Sequence, residues 1–203
     1  MGGGTVEGDS YFEREGGRVR ATPAGIAASL AEGIIHGTNS LRTRLEEQGF
    51  PSSDPKRFHS EACVLECVLF EWFLRDLMIS AEFGRHANAV RKALTGRLLI
   101  DLQRSGLSPA CLMDVDPRHR QRFSEYAQAL EASSSLQALG ALAWLRILGS
   151  DEPSDRMTML FGVRATASLR ALQGMARRYT VIGSIFARFR PAHQNEGEAN
   201  REL

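Results

Sequence analysis

Residues 54–83 read DPKRFHSEACVLECVLFEWFLRDLMISAEF, and this stretch decides the fold. Asp54 before Pro55 places a capping oxygen ahead of a residue whose missing N–H costs nothing in the first turn of a helix. On a wheel of about 100° per residue, Ser60, Glu61, Glu71 and Arg75 fall in one narrow arc, with Glu71 and Arg75 an i,i+4 pair. Leu65, Leu69, Phe70, Trp72, Phe73, Leu74 and Leu77 occupy the other faces. A helix apolar on most sides is packed by neighbours on two or three of them. The spacing therefore predicts a helix over 55–83 that serves as the central spine of an all-α bundle. Glu66, Glu71, Arg75 and Asp76 interrupt its most apolar window, and four charges in about 20 residues exclude a membrane span.

Two features of this helix bear on chemistry. Glu66 lies opposite the polar arc, among His59, Cys63, Phe70, Phe73 and Leu77. A carboxylate in such surroundings needs a cation or hydrogen-bond donors if it is to stay charged. One expectation is a structural partner, an Arg, a Tyr or a backbone group from a neighbouring helix, with His59 on the same line as a further candidate. The other is a pocket in which Glu66 and His59 are the candidate catalytic or ligand-binding residues. His59, Cys63, Cys67 and Glu71 also run at i, i+4, i+8 and i+12, but Glu71 sits about 120° from His59, so the four cannot converge on one ion. Cys63 and Cys67 are read as core residues. Neither a metal nor a cofactor is expected, the alternative being a haem or other hydrophobic ligand held axially by His36 or His59.

Outward from the spine, boundary residues mark five more helices. Thr22-Pro23, Ser108-Pro109, Asp116-Pro117 and Ser135-Leu136 read as starts; Gly49, Gly84, Gly106 and Gly149 read as stops. The expected helices are 23–48, 55–83, 86–104, 117–132, 136–148 and 155–189, with a short turn at 109–114. The first carries a small-residue face (Ala24, Gly25, Ala27, Ala28, Ala31, Gly33 and Gly37) suited to close approach of a neighbour. Residues 11–22 could turn a hairpin at Gly16-Gly17, though an isolated hairpin is marginal in water. The organisation expected is a flexible segment 1–20, a helical domain 21–190 and a disordered tail 191–203.

Charge is distributed unevenly. The chain of 203 residues carries 25 Lys+Arg and 24 Asp+Glu, a net +1 that is too small for a general polyanion binder. Yet from position 156 to 195 there are seven arginines (156, 164, 170, 177, 178, 188 and 190) and no acid. On the predicted long C-terminal helix most of them share one face, opposite Phe161, Leu172, Met175 and Tyr179, while 181–189 is apolar nearly all round. That face reads as a solvated surface or, through Arg164, Arg170, Arg177 and Arg178, as a docking site for an acidic protein or for self-association. Nucleic acid and anionic membrane are lesser alternatives.

Three cysteines, an odd number, suit a reducing compartment, and the N-terminus lacks the basic and apolar regions of a secretory leader, so a cytoplasmic protein is expected. Phosphate-loop, dinucleotide-binding and nucleophile-elbow motifs are absent, as is the Glu-x-x-His pairing of di-iron bundles. The expected function is that of a non-catalytic helical accessory, assembly or regulatory protein. The alternatives are a helical ligand-binding protein or enzyme built round Glu66 and His59, and a nucleic-acid or membrane-surface binder.

Overall fold

The structure, a computed structural model, describes residues 12–15, 18–48, 55–133, 135–149 and 155–182. In chain order the elements are β1 (Phe12–Glu15), β2 (Arg18–Ala21), α1 (Pro23–Glu47), α2 (Pro55–Phe58), α3 (Glu61–Glu82), α4 (Ala87–Arg104), α5 (Pro109–Ser133), α6 (Leu136–Leu148), α7 (Asp155–Ala176) and β3 (Tyr179–Val181). A 3-10 turn at Gly84–His86 leads into α4. Among the described residues there are seven helices where about six were expected, and the architecture is an all-α bundle with a small sheet on one flank. No helix among the described residues is long and apolar enough to cross a membrane.

The predicted spine is α3. Every residue from 65 to 75 is buried, about three full turns enclosed on all sides. Its Leu65, Val68, Leu69, Trp72, Met78 and Ile79 belong to one apolar cluster with Ile26, Leu30 and Ile34 of α1 and Val90, Leu94, Leu98 and Leu102 of α4. Its Cys63, Cys67, Phe70, Phe73 and Leu74 belong to a second, with Leu41 and Leu45 of α1, Phe58 of α2, Tyr126 of α5, Leu139, Ala143 and Trp144 of α6, and Phe161 and Ala165 of α7. The spacing of four between the α4 leucines makes the stripe that α1 covers.

Four sequence expectations change. The helix predicted over 55–83 is broken at His59 and Ser60, because Ser60 takes the N-cap of α3 and its Oγ accepts the Cys63 N–H at 3.2 Å. Asp116-Pro117 starts nothing; Pro117 lies inside α5, which begins eight residues earlier at Pro109. There Ser108 Oγ accepts the Cys111 N–H at 3.3 Å, while Glu61 accepts the Ser108 N–H at 3.0 Å and its O–H at 2.5 Å, pinning α5 to the start of α3. The helix bond that Pro117 removes belongs to the Met113 carbonyl, and both residues are exposed, so water can replace it.

The long C-terminal helix predicted over 155–189 ends at Ala176. Tyr179, Thr180 and Val181, aromatic and β-branched, instead form β3 parallel to β2. That third strand explains why the marginal hairpin forms: β1 pairs antiparallel with β2, and the Val19 N–H donates to the Arg178 carbonyl at 2.8 Å on β2's other edge. The Gly16-Gly17 turn, the stretch 183–189 and the tail 191–203 lie outside the described residues. The stops at Gly84, Gly106 and Gly149 all have positive φ, as C′ glycines do.

Candidate functional site

Burial of α3 puts two carboxylates inside the protein, and arginines from other elements reach each of them. Glu66, 3% exposed, accepts from Arg122 of α5 in fork-to-fork geometry, Nε to Oε2 at 2.7 Å and Nη2 to Oε1 at 2.8 Å. Arg118 Nη1 approaches the same carboxylate at 3.4 Å and gives its Nε–H to Asp114. Arg122 also donates to Glu125 at 3.1–3.2 Å, and Glu125 accepts from Arg146 Nε of α6 at 2.9 Å. The result is an alternating chain of charge, Asp114–Arg118–Glu66–Arg122–Glu125–Arg146, that ties α3, α5 and α6 together. Asp114, Arg118 and Arg122 recur every four residues along α5, so one helix face supplies three members. The carboxylates drive Arg122 further above its ordinary range, and burial, reinforced by the Glu66 charge, pushes the Tyr126 phenol well up.

His59 is not part of this arrangement. It sits exposed in the turn between α2 and α3, its ring edge-on to Phe58 at 5.3 Å between centroids. The wheel placed it beside Glu66 only because the helix was read as continuous; the Ser60 cap takes it off that line. The expected pairing of Glu66 with His59 gives way to the arginine partner, the other arm of the same expectation. His36, the other axial candidate, is exposed on a groove between α1, α4 and β3. His119, read as a surface residue in a first helical turn, is instead half-buried in the middle of α5 and stacked between Trp72 at 4.1 Å and Phe123 at 4.0 Å. Burial lowers its pKa.

The cysteines of α3 are both buried. The Cys67 S–H donates to Cys63, which lowers the Cys63 pKa; Arg42 and Arg57 act in the same direction, against burial. The same bond and complete burial raise Cys67. Among the described residues no group of three or more His, Cys, Asp and Glu side chains is placed to hold a metal ion.

The second buried carboxylate, Glu71, is 1% exposed, so the polar arc of the wheel is an interior strip. Arg75 Nη1 donates to Glu71 Oε2 at 2.7 Å and Arg164 of α7 donates to Oε1 from Nη2 at 2.8 Å. The same arginines reach α1: Arg75 Nη2 to the Gly33 carbonyl at 2.5 Å and Arg164 Nη2 to the Gly37 carbonyl at 2.6 Å. A Cβ on Gly37 would stand 2.5 Å from Glu71 Oε2, so only glycine admits the carboxylate. This is the use of the small-residue face of α1, and the signal that could have found the site from sequence: glycines four apart must face a group pressed against the backbone.

Arg164 therefore leaves the basic face to which the wheel assigned it and is held inside, its side chain 11% exposed. Arg177 is exposed and pairs loosely with Glu82 at 3.3–3.4 Å. Arg170 and Arg178 are exposed with no ion pair among the described residues. With Arg170 on the outer side of α7 stand Met159 at 57% exposure, Val163 at 61%, Ala167, Ala171 and Gly174. A groove of about 660 Å³ runs between this side of α7 and the start of α6, lined by Leu136, Gln137, Met159, Val163 and Arg170.

No protein-family model, curated protein or solved structure matches the chain.

Proposed function

We propose that this protein is a non-catalytic helical accessory or assembly protein that works through the outer face of α7, where it receives an acidic, partly apolar segment of another protein. The observation that carries this reading is the composition of that face. A solvated helix side is normally rich in both signs of charge. This one presents Met159, Val163, Ala167, Arg170 and Ala171, with Arg178 in the turn just beyond, and no acid among the described side chains. Exposed Met and Val give a partner apolar area to cover, the small residues allow close approach of a second helix, and the arginines select for negative charge. The inward turn of Arg164 weakens the nucleic-acid and membrane alternatives, since it removes a charge from a surface that needed many.

The test is an affinity purification from the native host with wild type, with Arg170→Glu/Arg178→Glu and with Val163→Asp, alongside mass determination in solution. The expected outcome is an acidic partner retained by wild type, released by added salt and lost by both variants while their melting temperatures stay close to wild type. Equal retention by all three proteins would overturn the reading. A wild type that is dimeric, and whose dimer both variants dissociate, would replace the acidic partner with a second copy.

A further inference from the structure

A cavity of about 400 Å³ opens where α2, the start of α3, α5 and the end of α6 meet. Its lining is chemically one-sided: Arg57, Arg118, Arg122 and Arg146 face it, and Glu66 is the single acid among the lining residues. We infer that this cavity is a binding site for a small polyvalent oxyanion, a phosphate ester or a polycarboxylate, held by guanidinium groups that the alternating ion chain fixes in advance.

Four observations support the site. The guanidiniums are preorganised: Arg122 is locked on Glu66 at two points, and Arg146 is held through Nε alone on Glu125, which leaves both its Nη groups without a partner among the described residues. Planar guanidinium forks match the oxygens of carboxylate and phosphate bidentately, and donors already fixed lose little entropy when they bind. The positions are suitable as well, since Arg118 and Arg146 are each about one-third exposed and so partly desolvated yet reachable. Ser60, the N-cap of α3, and Ala62 and Cys63 of its first turn form part of the wall, so the positive end of a helix 22 residues long adds to the field of the arginines. The volume is at the small end of the range for ligand pockets, roughly 300–1,000 Å³, which fits a metabolite-sized anion and not a polymer. This inference is independent of the contact reading, because the cavity lies on α2, α3, α5 and α6 and includes no residue of α7.

Pyrophosphate and citrate serve as probes, one for each source of oxyanion, titrated calorimetrically at constant ionic strength with chloride as the balancing salt. Wild type should bind at least one of them saturably, with a rise in melting temperature that chloride does not reproduce. Arg146→Gln should weaken binding about tenfold or more, the effect of losing hydrogen bonds to a charged group. Glu125→Gln, which loosens the hold on Arg146 and Arg122, should weaken it although a nearby negative charge is removed; a plain sum of charges without preorganisation predicts a gain. Arg170→Gln on α7 should leave binding unchanged, and circular dichroism confirms the fold of each variant. If Arg146→Gln does not fold, Arg57→Gln takes its place with the same expected loss. The preferred probe names the ligand class. Absence of saturable binding of both probes by wild type, or binding indifferent to the arginine substitution and to Glu125→Gln, would overturn the inference.

Discussion

Glu66 and Glu71 lie five positions apart on α3, and the cost of taking each charge out of water is offset only by the arginines that meet it. In such a site removing one partner is far worse than replacing both, because the survivor is left buried and unpaired. Arg122 is the survivor to watch, since its fork is turned on Glu66 and it is nearly as buried. Glu66→Leu should therefore cost about 3–5 kcal/mol of unfolding free energy. Glu66→Gln keeps an acceptor for one of the two bonds and should cost less, about 1–3 kcal/mol. Adding Arg122→Met to Glu66→Leu should recover part of the loss. Urea titrations of the three variants measure all of this, and equal losses for Gln and Leu would mean that Arg122 finds another partner. The lesson is one of chemistry: burial of a carboxylate was legible from its neighbours on the wheel, whereas the identity of its cation was not, because Arg122 is 56 residues away in the chain.

At the scale of elements, α7 has two sides with opposite duties. Its inner side carries Phe161 and Ala165 into the core and sends Arg164 to Glu71 and to the Gly37 carbonyl. Its outer side carries Arg170 into solvent, and the turn that follows the helix carries Arg178 there. The same substitution should therefore have opposite consequences at positions six residues apart. Arg164→Glu brings a second carboxylate against Glu71 inside the protein and should cost at least about 3 kcal/mol, or prevent folding. Arg170→Glu should stay within about 0.5 kcal/mol. Arg164→Met, which removes the charge without adding repulsion, should fall between them and keep the destabilisation measurable if Arg164→Glu is not recovered folded. Thermal melts of the three proteins are sufficient, and a mild effect at Arg164 would return that residue to the surface. The wheel put Arg164 and Arg170 in one broad arc although they stand about 120° apart; the end of the helix at Ala176 takes Arg177 and Arg178 out of that arc, and packing decides that Arg164 turns inward.

For the whole molecule, α3 is what makes two apolar clusters one domain. Its residues enter both, and Phe123 and Leu172 pack against both. Trp72 lies in the first cluster and Trp144 in the second. With Trp144→Phe the remaining tryptophan reports on the first cluster, and with Trp72→Phe on the second. In each variant the fluorescence transition should coincide with the loss of far-ultraviolet circular dichroism, a single cooperative unfolding. Transitions that separate would show that the clusters unfold as independent units. The amino-acid order by itself determined the all-α class, the buried spine, most helix starts and the glycine stops, because periodicity, capping and φ preference act within a few residues of the chain. It also marked Glu66 as a buried acid in need of a partner. Only the tertiary structure decided that Arg122 and Arg164 are the cations of Glu66 and Glu71, that Gly33 and Gly37 make room for an ion cluster, that Pro117 lies inside a helix, and that 179–181 leaves the helix to complete a sheet with 18–21. Each of these depends on a contact between segments far apart in sequence, where the free energy of burial and pairing outweighs the fraction of a kcal/mol by which local propensity prefers one conformation to another.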